Sequence, residues 1–171
     1  MMRRLLLPAV LLLTTACSKV VDVYYTTEYP VVRLDAEVSV APDPDGGETA
    51  DEAAEALADA IRSTVLHEAP VEAGGSYRLD FSLADGGSLF VVPAAGSEAL
   101  AGTFTKVPAS SQLTFDYGEQ HYTAQLSTWL DEAAGPCVRF EVDLTEAFRE
   151  RLGNDRIESV IRYEYTAHPR D

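Results

Sequence analysis

The chain has 171 residues, with 13 basic and 28 acidic side chains and a formal charge of −15. That balance lacks the basic footprint that nucleic-acid binding requires, and two cysteines are too few for a disulfide-stapled scaffold. The length suits a single domain that buries roughly two-thirds of its unfolded surface and needs no staple.

Residues 1–17 read MMRRLLLPAVLLLTTAC. Arg3 and Arg4 precede an apolar run, 5–13, which gives way to Thr14, Thr15, Ala16 and Cys17. This is the layout of a secretory signal peptide. The run is too short to span a bilayer, which takes about 20 apolar residues. The segment resembles the lipobox signal of bacterial lipoproteins, in which the cysteine becomes the lipidated first residue. One position departs from that pattern: Thr14 stands three before the cysteine, where the family usually has leucine. Thr14-Thr15-Ala16 also satisfies the small-x-small rule of an ordinary signal peptidase, and either enzyme cuts before Cys17. The resemblance implies several acyl chains, palmitate among them, on Cys17, and hence a stable anchor rather than a span. Ser18 is not the aspartate that retains some lipoproteins at an inner membrane, so the resemblance implies the outer membrane. Losing Arg3 and Arg4 with the leader takes 13 basic residues to 11 and the charge from −15 to −17. A surface of that sign gains no further adhesion to anionic lipid. The expected organisation is a signal peptide at 1–16, a lipidated N-terminus and short lead-in at 17–28, and one β-rich domain at 29–171.

Val32, Leu34, Ala36, Val38 and Val40 alternate with polar residues and predict a half-buried strand. The loop Pro42-Asp43-Pro44-Asp45-Gly46-Gly47 ends it. Thr49-Ala50-Asp51-Glu52 has the form of a capping box, and a helix is expected to about Leu66 with Ala53, Leu57, Ile61, Thr64 and Val65 on its core face. Tyr77, Leu79, Phe81 and Leu83 alternate again. Asp85-Gly86-Gly87 turns that strand back through 89–92 as a hairpin. Strands are expected near 99–106, 112–117 and 120–127, the last two joined around Gly118. Val138, Phe140, Val142 and Leu144 form a further strand, followed by a short helix that Asp143 to Glu146 can cap and that stops at Gly153. The last strand covers 156–166, with Ile157, Ser159, Ile161, Tyr163 and Tyr165 on one face.

Most connections are hairpins, so the fold class is α+β: a predominantly antiparallel sheet or sandwich of seven to nine strands with one longer and one short helix. A faint internal echo joins VRLDAEV, helix, YRLDFSL to VRFEVDL, helix, IRYEYT.

Chemistry is sparse in the sequence. His67, His121 and His168 lie in no zinc-type spacing, and no phosphate loop, dinucleotide fingerprint or G-x-S-x-G is present. No cofactor is expected. Ser110 or Ser111 with His121 makes at most a paper triad. Asp43, Asp45 and Glu48 begin a calcium-like D-x-D-G loop but lose its spacing afterwards. They are better read as an acidic loop before a helix N-terminus that favours carboxylates. Cys137 is expected to be a partly buried thiol at a strand start; if Cys17 is not acylated, a 17–137 disulfide becomes available. Tyr24, Tyr25, Tyr29, Tyr122 and Trp129 have no clear core assignment and form a candidate aromatic binding surface.

The chain is similar in outline to small lipoproteins of Bacteroidota. The expected function is that of a membrane-anchored, non-enzymatic envelope module that binds a protein or glycan partner. Two alternatives accompany it. One is a fimbrillin-like fibre subunit, a class that begins as lipoproteins with β-sandwich domains and is sometimes matured after an arginine, here Arg33. The other is a small envelope hydrolase.

Overall fold

The computed structural model describes residues 25–170 apart from Glu98 and Glu119; the leader, Cys17 and Tyr24 lie outside the described residues. Eight strands and two helices follow in the order β1 (Tyr25–Val40), α1 (Ala50–His67), β2 (Ser76–Leu83), β3 (Gly86–Val92), β4 (Ala99–Lys106), β5 (Gln112–Tyr117), β6 (Gln120–Asp131), β7 (Gly135–Asp143), α2 (Thr145–Leu152) and β8 (Ile157–Thr166). Pairing is antiparallel throughout. The strand number, strand direction and helix pair agree with the sequence reading.

The sandwich does not: the strands close in sequence order into one barrel. The length of β1 explains the closure. Its first part pairs with β2 at Tyr25–Pro30, and the remainder pairs with β8 from Val31 to Val40, so one strand joins both edges of the sheet. β1 therefore starts at Tyr25, inside the stretch expected as a lead-in, because 25–28 is held by Arg78–Phe81 of β2 and by a bridge from Glu28 to Arg170. Eight strands leave an interior just wide enough for side chains to fill. Tyr77, Leu79, Phe81, Leu89, Phe104, Phe115 and Phe140 fill it.

Two bulges reset which face points inward, as one extra residue in a strand must. In β1 the register slips between Val31 and Arg33, so Val31 is buried whereas Val32 is 50% exposed. In β8 it slips at Glu158, opposite Ser39 and Val40. Ile157 and Val160 are both buried as a result, and the inward face continues as Arg162, Glu164 and Thr166. The expected face of Ser159, Ile161 and Tyr163 lies outside instead.

In an up-and-down barrel, successive connections alternate between the ends. The start of β1 and the β2–β3, β4–β5 and β6–β7 turns share one end. α1, α2 and the β5–β6 turn share the other. Both strand–helix–strand units of the internal echo therefore place their helix at the same mouth. There a second cluster forms, with Ile61 and Val65 of α1 and Phe148 of α2 packed on Ala36, Val38, Ile157 and Val160.

The buried stripe of α1 is Ala50, Ala54, Ala58, Ile61 and Val65; Ala53 faces out. Thr49 makes no side-chain cap, because it enters from a 3-10 turn at φ −98°, ψ 2°, outside the extended backbone an N-cap hydroxyl needs. α2 ends as expected, at Gly153 in the left-handed conformation. Gly102 marks a close approach: a Cβ there would sit 1.7 Å from the Asp116 carbonyl oxygen across the β4–β5 pair.

Candidate functional site

The inward face of β8 carries two charges. Arg162 is 3% exposed and Glu164 1%. Spaced i, i+2 on one strand, both side chains point into the barrel, and the Arg162 Nε donates to Glu164 Oε1 at 2.7 Å. Burial works against the Arg162 charge, but Glu164 outweighs it and raises the guanidinium above its ordinary range. Buried pairs of this kind survive only where the attraction offsets desolvation.

A train of rings leads to this pair through the interior. Tyr29 and Phe140 lie 5.3 Å apart, Phe140 and Tyr77 5.7 Å, Tyr77 and Phe115 6.0 Å, and Phe115 and Tyr122 5.3 Å. Tyr122 ends the train, its ring 5.6 Å from the Arg162 guanidinium carbon. The hydroxyls of Tyr77 and Tyr122 are buried without a hydrogen-bond partner among the described residues. Burial, then the nearby Glu164 charge, pushes both phenols well above their usual range.

Above Arg162 and Tyr122, at the helix end, a cavity of about 270 Å³ opens. Val65 of α1 and Glu68 at its C-terminal cap, Ala147, Phe148 and Arg151 of α2, Leu144, and His121 complete its walls. α2 is fixed on β8 by Val160 N–H donating to Thr145 Oγ1 at 3.0 Å and by Arg149 Nε donating to the Ile157 carbonyl at 2.7 Å. Arg151 reaches across the mouth to α1 and donates to both Glu68 oxygens, at 2.8 and 3.0 Å. Those bonds hold the Glu68 carboxyl below its ordinary range. At the rim, His121 Nδ1 donates to Asp116 Oδ1 at 2.6 Å across the β5–β6 pair.

The arrangement is an apolar wall with a cationic floor. Val65, Leu144 and Phe148 supply the wall. Arg162 uses its Nε on Glu164, and its terminal nitrogens make no hydrogen bond among the described residues. Both guanidiniums of the lining are paired with a carboxylate, Arg162 with Glu164 and Arg151 with Glu68.

The residues singled out by sequence are scattered. Tyr24 lies outside the described residues, and Tyr25 is described only by its backbone pairing with Phe81. Tyr29 packs on the barrel interior and Tyr122 is buried there. Trp129 lies on the outer face, edge-on to Tyr165 at 4.9 Å. These rings make no common exposed patch, because alternation along β1 and β6 sends Tyr29 and Tyr122 inward and Trp129 outward. Arg33 stacks on the same outer face, 3.9 Å over Tyr165. Asp43 accepts from the Asp45 N–H at 3.0 Å and pairs with Arg156 at 3.3 Å. Glu48 sits in the exposed 3-10 turn. No three His, Cys, Asp or Glu side chains converge on a metal position among the described residues. Cys137 is a buried free thiol whose Sγ–H donates to the Gly135 carbonyl at 3.5 Å. It and Ser110, which donates to the Val107 carbonyl at 3.0 Å, belong to the end opposite His121.

Arg162, Glu164, Tyr77, Glu68 and Arg151 were not singled out by sequence. A signal for the first two existed: Arg33-Leu-Asp35, Arg78-Leu-Asp80, Arg139-Phe-Glu141 and Arg162-Tyr-Glu164 repeat one Arg-x-acid pattern. Three of these make ion pairs, and only Arg162–Glu164 is buried. No protein-family model matches the chain, and neither a curated protein nor a solved structure does.

Proposed function

We propose that the protein is an envelope lipoprotein, anchored through Cys17 at the outer membrane, whose barrel binds a small molecule in the mouth cavity. The observation that carries the binding reading is a guanidinium 3% exposed on the floor of an open cavity, its terminal nitrogens making no hydrogen bond among the described residues. A guanidinium presented to an open cavity offers charged donors to a ligand, and a concave, mostly apolar site with few converging polar groups is the usual form of a ligand pocket.

The anchor reading rests on residues 1–17 and fits the topology. The anchored residue precedes the start of β1, at the end opposite the helices. Eleven residues of β1 separate Tyr25 from Ala36, the partner of Arg162. At about 3.3 Å per residue that is about 36 Å along the strand. The start of β1, which follows Cys17 in the chain, is thus at the end of the barrel opposite the cavity.

Ala147 lines the cavity from an exposed position on α2, so Ala147→Phe fills it without touching the barrel interior. Small molecules extracted from the envelope are passed over immobilised wild type and Ala147→Phe and identified by mass spectrometry. The binding reading expects a compound retained by the wild type alone. Identical retention by both proteins refutes it. The mass of the N-terminal peptide from native protein tests the anchor separately: it carries acyl chains on Cys17, or the anchor reading fails.

A further inference from the structure

Resting on the binding reading above, we infer that the ligand is a small anion with a short apolar body, its head group seated on Arg162 beside the Tyr122 ring and its body against Phe148. Arg162 supplies fixed charge and terminal N–H donors in a fork that matches a carboxylate or phosphate. Its Nε is already committed to Glu164, which fixes the plane of the guanidinium and leaves the outer edge of the fork to the cavity. The Tyr122 ring lies 5.6 Å from the guanidinium carbon and closes that side of the floor, its hydroxyl buried. A neutral acceptor would make a weaker bond to the guanidinium edge than an anion makes, and a cation would meet it at close range.

The walls set the body. Leu144, Val65 and Phe148 offer only apolar surface between the floor and the rim. A cavity of about 270 Å³ takes a small head group and a short chain on the order of six carbons. The interior below is closed to a longer tail by the packed rings of Tyr77, Phe115 and Phe140. At the rim Arg151 is paired with both Glu68 oxygens, which leaves Arg162 as the group that receives the anion.

The probes are hexanoate, hexyl phosphate, hexan-1-ol and hexylamine, titrated into the chain from residue 18 onward, which contains every element of the barrel. Methyl shifts of Val65 and Leu144 report occupancy of the cavity. One or both of the anions are expected to saturate these shifts at least about tenfold more tightly than hexan-1-ol, the smallest step for gaining a hydrogen bond to a charged group. The comparison of the two anions assigns the head group. The double variant Arg162→Met/Glu164→Leu, which keeps the interior filled, is expected to abolish the preference over the alcohol. Hexan-1-ol or hexylamine binding as tightly as either anion overturns this inference and leaves the binding reading standing. Methyl shifts unmoved by all four probes overturn it as well, and the binding reading is then decided by the envelope-extract comparison alone.

Discussion

Replacing Arg162 alone by methionine removes the cation from beside a carboxylate that is 1% exposed. Methionine fills much of the same volume, so the loss comes from the uncompensated charge rather than from a hole. Breaking a buried pair from one side costs about 3–5 kcal/mol, and the i, i+2 placement on one strand gives Glu164 no short route to solvent. For a domain of this size each kcal/mol moves the melting temperature by about 2–4 °C, so the single variant should melt roughly 10 °C below wild type. Arg162→Met/Glu164→Leu removes both charges and should recover most of that loss, since well-packed apolar replacements of buried pairs are often neutral or stabilising. Urea unfolding followed by Trp129 fluorescence gives all the corners of the cycle once Glu164→Leu is included. The coupling between the two sites should exceed about 2 kcal/mol. A single variant within about 1 kcal/mol of wild type, or a double variant whose loss is the sum of the singles, would refute the reasoning.

Other consequences follow from the same packing. Phe115→Ala, which removes a ring from the middle of the interior train, should cost about 3–5 kcal/mol in urea unfolding. Leu130→Ala, at a position 74% exposed, should stay within about 0.5 kcal/mol of wild type. Gly102→Ala drives a methyl against the Asp116 carbonyl oxygen. It should cost about 1–3 kcal/mol and, in amide hydrogen exchange, loosen the β4–β5 pair first. Tyr77 and Tyr122 have their ionisation raised by burial. Their contribution to stability is full below the unfolded value near pH 10 and is lost as the pH climbs toward the folded values, so in an alkaline ultraviolet titration both should ionise only as the chain unfolds. The Glu68 carboxyl is lowered by its bonds to Arg151. Its contribution is present above the ordinary carboxylate range and fades as the pH falls through the folded value. The small difference in melting temperature between wild type and Glu68→Gln at pH 7 should vanish in acid.

Element positions were largely legible in the sequence, because alternation and turn residues act locally. β4 and β5 fall where 99–106 and 112–117 were expected, and Gly153 stops α2 as its conformation requires. Facing was less legible. The bulges at Val32 and Glu158 arise where β1 changes partner and where β8 meets the helix end, which are events of tertiary pairing. They turned Val32 out and Arg162 in. The site inherited that difficulty: Arg162-Tyr-Glu164 reads like the partly exposed pairs Arg78–Asp80 and Arg139–Glu141 until the register of β8 is known. Closure of the sheet was equally hidden, since local pattern does not distinguish eight strands in a barrel from eight in a sandwich.

The most direct measurement of the central claim is a crystal structure of the protein soaked in the tighter-binding of hexanoate and hexyl phosphate. The account predicts the anionic head group within hydrogen-bond distance of an Arg162 terminal nitrogen, with the chain lying on Phe148. That anion bound elsewhere on the barrel while the mouth holds only solvent would contradict it.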